Sequence, residues 1–211
     1  MTATARRPDA PGRRDRSSRK RGESRLLNAA VGLVLLGAAI GVQSLDLTHN
    51  EYTAPLTYVG EQGEDVDTTR LVVRLNSVTA AKSIQHLTKT IKTDQVFLVV
   101  DVSAKSKRKP YKLGPATLLT ADGRRFSATD RVDDSATVTA EYAQPEIWTR
   151  GPYFFEVPPS VLPGSRVVIG LPPSVLVEPY EPEAEIDLAL DEAAARKLTD
   201  SAEAVYSTAG K

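Results

Sequence analysis

Two histidines, His49 and His86, are all the imidazole in this chain of 211 residues, and cysteine is absent. A nucleophilic relay needs a histidine poised between a hydroxyl and a carboxylate. Neither histidine sits beside a serine elbow or in a His-x-x-x-His pattern, so both read as ordinary exposed residues. Without cysteine there is no disulfide framework, no thiolate zinc site and no lipid-modified cysteine anchor. A zinc centre of three or four His or carboxylate ligands is equally out of reach. Asp65 with Asp67 and Asp133 with Asp134 could meet calcium, but no Asp-x-Asp-x-Asp-Gly loop accompanies them, and they read as solvated turns. No glycine-rich phosphate loop occurs. The sequence therefore assigns no catalytic, cofactor-binding or metal-binding residue. One enzymatic alternative stays open, a hydrolase of cell-wall polymers using Asp101, Asp133, Asp134 or Glu156, which requires two carboxylates facing one cleft about 5–10 Å apart.

The most pointed feature is Lys105-Ser-Lys-Arg-Lys-Pro-Tyr-Lys112, with five positive charges in eight residues: Lys105, Lys107, Arg108, Lys109 and Lys112. Such a run can engage an anionic wall polymer, lipid headgroups or an acidic envelope protein, and its plainer reading is a hairpin tip kept soluble by charge. Trp148, the sole tryptophan, is followed by Arg150. It can be a binding hot spot or a strand-edge residue covering the core.

The formal net charge is zero, but the charges are segregated. Nine basic residues face three acidic ones up to Arg25, leaving 18 basic against 24 acidic in the remainder. An acidic body argues against nucleic acid as a partner, since affinity for phosphate backbones comes from clustered Lys and Arg. From Leu26 to Leu45 no residue is charged, and a helix of about 20 residues spans the hydrocarbon layer of a bilayer. This predicts a transmembrane signal anchor over 26–45. A cleaved secretory signal is the alternative, with small residues at Ala39 and Gly41 or at Val42 and Ser44 for the peptidase. Arginines before the segment and acids after it place the amino terminus in the cytoplasm and the remainder outside. Gly37 and Gly41 stand four apart, a weak signal for helix pairing. The basic tail, 1–25, has almost no apolar residues and is expected to be disordered.

Residues 46–68 mix Gly, Pro, Asn and acids and read as a stalk. The folded domain is expected over 69–190. Leu71, Val73 and Leu75 alternate with other residues in one strand, and Val96, Leu98, Val100 and Val102 in another. The stretch between them, Ala80 to Asp94, contains Lys82, Lys89 and Lys92 and reads as an exposed connection with room for a helical turn. Ala116–Thr120 and Arg125–Ala128 flank Ala121-Asp-Gly-Arg124, a hairpin signal. Tyr153, Phe155 and Val157 lead to Pro158-Pro159, Arg166 to Leu171 lead to Pro172-Pro173, and Glu185 to Leu190 makes a last strand. Asp191 then caps a short helix in 191–211, followed by a frayed end. Short strands without intervening amphipathic helices predict a mainly β fold, an antiparallel sandwich.

The strand Gln95-Val-Phe-Leu-Val-Val-Asp-Val102, the hairpin Leu119-Thr-Ala-Asp-Gly-Arg124 and the run Trp148-Thr-Arg-Gly-Pro-Tyr-Phe-Phe-Glu-Val-Pro158 resemble the immunoglobulin-like extracellular domains of actinobacterial membrane-anchored or secreted proteins, akin to the mycobacterial immunoprotective antigens. The likeness covers about 69–172. It implies an immunoglobulin-like sandwich at the cell envelope and no catalytic activity. The sequence as a whole is thus read as a non-enzymatic, membrane-tethered extracytoplasmic interaction module, an accessory to an envelope or transport complex. A signalling role finds no foldable reporter in the tail.

Overall fold

The computed structural model describes residues 18–43, 54–173 and 180–209. The chain divides into two units, Met1–His49 and Asn50–Lys211. In the first, helix α1 runs from Ser18 to Gln43. The tail was expected to be disordered up to Arg25, yet its last residues belong to this helix. Arg, Lys and Glu are good helix formers, and with no proline among them they carry the helix through Gly22 into the apolar run. Every described side chain of α1, from Leu27 to Gly41, is exposed. Among the described residues, no helix is long and apolar enough to cross a membrane. The expected 26–45 span reaches beyond them, since Ser44 and Leu45 lie outside, as do His49 and most of the tail.

The second unit is a β-sandwich. Sheet A has the order β1 (Leu56–Glu61), β11 (Pro182–Asp187), β10 (Arg166–Ile169), β6 (Thr117–Leu119) and β7 (Arg125–Ser127). Sheet B has the order β12 (Tyr206–Ser207), β3 (Leu71–His86), β4 (Lys89–Ser106) and β9 (Thr149–Val157), with β2 (Asp65–Asp67) also paired to β3. A small ladder joins β5 (Tyr111–Lys112) to β8 (Tyr142–Ala143). Pairing is antiparallel except at β1 with β11 and β12 with β3. Between the sheets lies one dry core, with Leu71, Val73, Leu75, Leu98, Val100, Val102, Tyr153, Phe155 and Val157 from sheet B meeting Leu118, Val167, Ile169 and Ile186 from sheet A. Tyr153 keeps its phenol satisfied there by donating to the Gly114 carbonyl at 2.8 Å, and burial pushes its pKa well above the ordinary value.

The Asp-Gly hairpin forms as expected, with Gly123 at φ +82 and the Thr120 amide donating to the Arg124 carbonyl. Proline closes β9 at Val157, and Asp191 caps helix α2 (Glu192–Asp200) by accepting from the Ala194 amide at 2.7 Å.

Three stretches differ from the reading of the sequence. Residues 80–94 are not a loop: they extend β3 and β4 to a turn at Leu87-Thr88, making one long hairpin. The polar residues there alternate with Ala81, Ile84 and Ile91, which are buried on the side of sheet B away from the sandwich core. The stalk contributes β1 and β2, because Leu56 to Glu61 pair in parallel register with Pro182 to Asp187, a partner far along the chain. After α2 the chain does not fray. It returns as β12, held by Tyr206, which is 4% exposed and meets Phe154 edge to face at 5.8 Å.

Candidate functional site

The outward side of sheet B carries the residues that the sequence singled out. It has two halves. Toward the Leu87 turn, Phe97, Val99, Ile84, Ile91 and Phe154 form a second apolar cluster, covered by Val132 and Tyr206. Toward the other end the same strands turn polar. A bulge at Asn76 sets Ser77 opposite Asp101, while the Asn76 amide nitrogen donates to the Ser103 hydroxyl at 2.9 Å. On β9, Arg150 pairs with Ser103 in register and donates from Nε to both oxygens of Asp101, at 2.9 and 3.2 Å.

Trp148 lies just ahead of β9 and is 37% exposed. It belongs to neither core cluster. The Arg74 guanidinium sits 5.0 Å and the Lys105 ammonium 5.2 Å from its ring centroid, so the indole is braced by two cations, each worth about 0.5–1 kcal/mol at an exposed site. Those cations are themselves held: Arg74 by Asp65, and Lys105 by Glu146 at 2.9 Å. Asp65 is driven below the usual carboxylate range by its hydrogen bond from Arg74. Next to Trp148, Ile147 is 63% exposed, at a turn where Glu146 takes φ +59.

The five cations of the basic run do not act as one group. Lys105 ends β4 and Lys107 donates to both oxygens of Asp67, at 2.7 and 3.0 Å; that hydrogen bond lowers the Asp67 pKa. Lys109 stands 5.2 Å over the Tyr111 ring. Arg108, Lys109 and Lys112 are exposed and form no ion pair among the described residues. The run is pinned by backbone bonds, from the Lys107 amide to the Arg70 carbonyl and from the Ser106 amide to the Gln144 carbonyl. It borders a hollow of about 340 Å³ lined by Thr69, Arg70, Lys107, Arg108 and Tyr111.

The remaining candidates are separated. Glu156 accepts from Thr93 at 2.6 Å and from Arg131 at 2.7 and 2.8 Å; burial alone raises its pKa, and these two donors outweigh that and leave it lowered. Asp133 caps a 3-10 turn and accepts from the Ser135 hydroxyl at 2.5 Å. Of Asp101, Asp133, Asp134 and Glu156, no two line the same one of the five cavities compared, so none of those five presents the carboxylate pair that glycoside hydrolysis needs. His86 is 2.8 Å from the Thr208 hydroxyl through Nδ1 and 3.4 Å from Ser135 Oγ through Nε2. The contacts run Thr208–His86–Ser135–Asp133, with the Ser135 hydroxyl donating to Asp133 and a threonine hydroxyl, not a carboxylate, behind the imidazole, which is not the order of a relay. No cluster of three or more metal-binding side chains exists among the described residues.

Sequence reasoning found the basic run and Trp148 but not Arg74, Asn76 and Ser77, which join them only through the pairing of β3 with β4. No family model matches the chain, and no curated protein matches it. Among solved structures, the chain is similar to an uncharacterized β-sandwich protein from Clostridium difficile 630, with 11% identity, a TM-score of 0.38, and coverage of 68% of this chain and 99% of that one.

Proposed function

We propose that this chain is a membrane-tethered, non-catalytic binding module whose sandwich stands outside the cell and holds an anionic wall polymer at the connection between β4 and β5. The uncharged run 26–45 supports the tether, and the arginines ahead of it support a cytoplasmic amino end. The resemblance to immunoglobulin-like actinobacterial envelope domains fits the same location and is part of this proposal. One observation carries the choice of ligand: Lys105 and Lys107 are committed to Glu146 and Asp67, whereas Arg108, Lys109 and Lys112 form no ion pair among the described residues, and Arg108 lines a hollow able to admit an anionic group. An unbalanced cation cluster gains by releasing the counterions of a polyanion.

The test uses the full chain reconstituted in lipid nanodiscs, with inorganic polyphosphate as the probe. Binding is expected to weaken with salt at a log–log slope of about −2 for three contacts. Neutralising Arg108, Lys109 and Lys112 to Gln together is expected to abolish it, while Lys105→Gln with Lys107→Gln retains most of it. Equal affinity in the triple variant would refute the ligand assignment. Release of the full chain from membranes by alkaline extraction would refute the tether.

A further inference from the structure

A second recess opens on the outward side of sheet B, with a chemistry opposite to that of the basic connection. Its volume is about 290 Å³, and Ser77, Thr79, Val99, Asp101, Arg150 and Pro152 line it, with Tyr206 as an end wall. The β-ladder explains why these side chains converge. Ser77 faces Asp101 and Pro152 in one cross-strand row, and Thr79 faces Val99 and Phe154 in the next.

Three properties define what fits. First, the recess is polar yet balanced in charge, because Asp101 and Arg150 are bound to each other through both the guanidinium Nε and Nη2. A free anion or cation finds no excess charge there, and a zwitterion would have to separate the pair. Second, both members keep hydrogen-bonding capacity toward the recess: guanidinium has five N–H donors and a carboxylate about four acceptor sites. Beside them, the half-buried hydroxyls of Ser77 and Thr79 make no hydrogen bond to the described residues. Each hydroxyl can both donate and accept. Third, the half-buried Pro152 gives an apolar surface within this polar rim, with Val99, 1% exposed, buried beside it.

A partner matching all three has an apolar C–H face, a rim of groups that both donate and accept, and no net charge. We propose that the recess binds one ring of a neutral saccharide, with the Asp101–Arg150 pair reaching adjacent hydroxyls, Ser77 and Thr79 completing the rim, and Pro152 under the ring. Asp101 is the one carboxylate lining it, so the ring is held without being cleaved. This inference does not depend on polyanion binding at Arg108, Lys109 and Lys112.

Saturation-transfer NMR on the full chain tests it, in phosphocholine micelles so that no sugar headgroup competes, with glucose, mannose and N-acetylglucosamine as separate probes. At least one is expected to receive saturation at its ring C–H protons at millimolar concentration, and excess polyphosphate is expected to leave that signal in place. Thr79→Val, which keeps shape, and Asp101→Asn, which removes the charge balance, should each weaken binding by at least about tenfold. No transfer to any of the three sugars overturns the proposal, and so does affinity within twofold of the parent in Thr79→Val. Loss of polyphosphate binding with the sugar signal intact would count against the basic site alone.

Discussion

The two halves of the outward side of sheet B are built on the same strands and differ in what lies over them. Near the Leu87 turn, Phe97 and Val99 are roofed by Val132 and Tyr206, residues far away in the chain, and the sheet is buried on both sides. Past Asp101 there is no roof. Asp101, Ser103 and Lys105 alternate there with Val102 and Ala104, and the surface holds ion pairs, Trp148 and the saccharide recess. Full burial of an aromatic side chain contributes about 1.5–3 kcal/mol, whereas an exposed ion pair contributes at most about 1 kcal/mol. One half therefore secures the sheet, and the other is free to be specified for recognition.

That division can be broken most sharply by comparing truncations. Phe97→Ala empties a site of 0% exposure and is expected to cost about 3–5 kcal/mol, read as a lowered urea midpoint. Trp148→Ala on the open half is expected to cost about 1 kcal/mol, the cation contacts at its ring. Equal losses would show that the open half is structural too. An intermediate effect comes from the other side of β9, which faces the sandwich core. A Cβ at Gly151 would lie 2.9 Å from the backbone nitrogen and Cα of Val138, so Gly151→Ala is expected to lower stability by about 1–3 kcal/mol through overpacking, measured by thermal unfolding. An unchanged melting temperature would mean that the 138–140 turn does not need its close seat on β9.

The smallest effect is acid dependence. Glu156, at the roofed end, and Asp65 and Asp67, at the open end, have folded pKa values below their unfolded ones. Their contribution is therefore complete above the unfolded values, near pH 4, and is lost as pH falls through the folded ones. The urea midpoint is expected to be flat from pH 7 to about 5 and to decline below about 4, with a shallower decline in Glu156→Gln. An identical decline in that variant would assign the acid sensitivity to the other lowered carboxylates, Asp65, Asp67, Asp122 and Asp133.

What could be read in the sequence was whatever the chain states locally. The alternation of Val96 to Val102, the Asp122-Gly123 turn, the prolines after Val157 and the Asp191 cap each carry their own signal, and each element formed. What escaped depends on distant partners. Leu87 turns the long hairpin at φ +51 without Gly, Asn or Asp, so no turn chemistry marked it. Lys82, Lys89 and Lys92 disguised two strand extensions whose apolar residues find cover only when Tyr206 arrives. Leu56 to Glu61 have no periodicity strong enough to announce a strand, and become one by lying beside Pro182 to Asp187. The site shows the same pattern. Its charges stood out in the sequence, but the division into committed and unbalanced cations rests on Asp67 and Glu146 being brought to them by the fold.

The parallel pairings of β1 with β11 and of β12 with β3 have a consequence for the order of events in making this protein. The long β3–β4 hairpin consists of neighbouring sequence and can close early, but sheet A has no partner for its first strand until residues 182–187 have been synthesised. The roof over Phe97 waits longer still, for Tyr206. A nascent chain thus carries an uncovered apolar sheet surface until Tyr206 has emerged, and is exposed to misassociation until then.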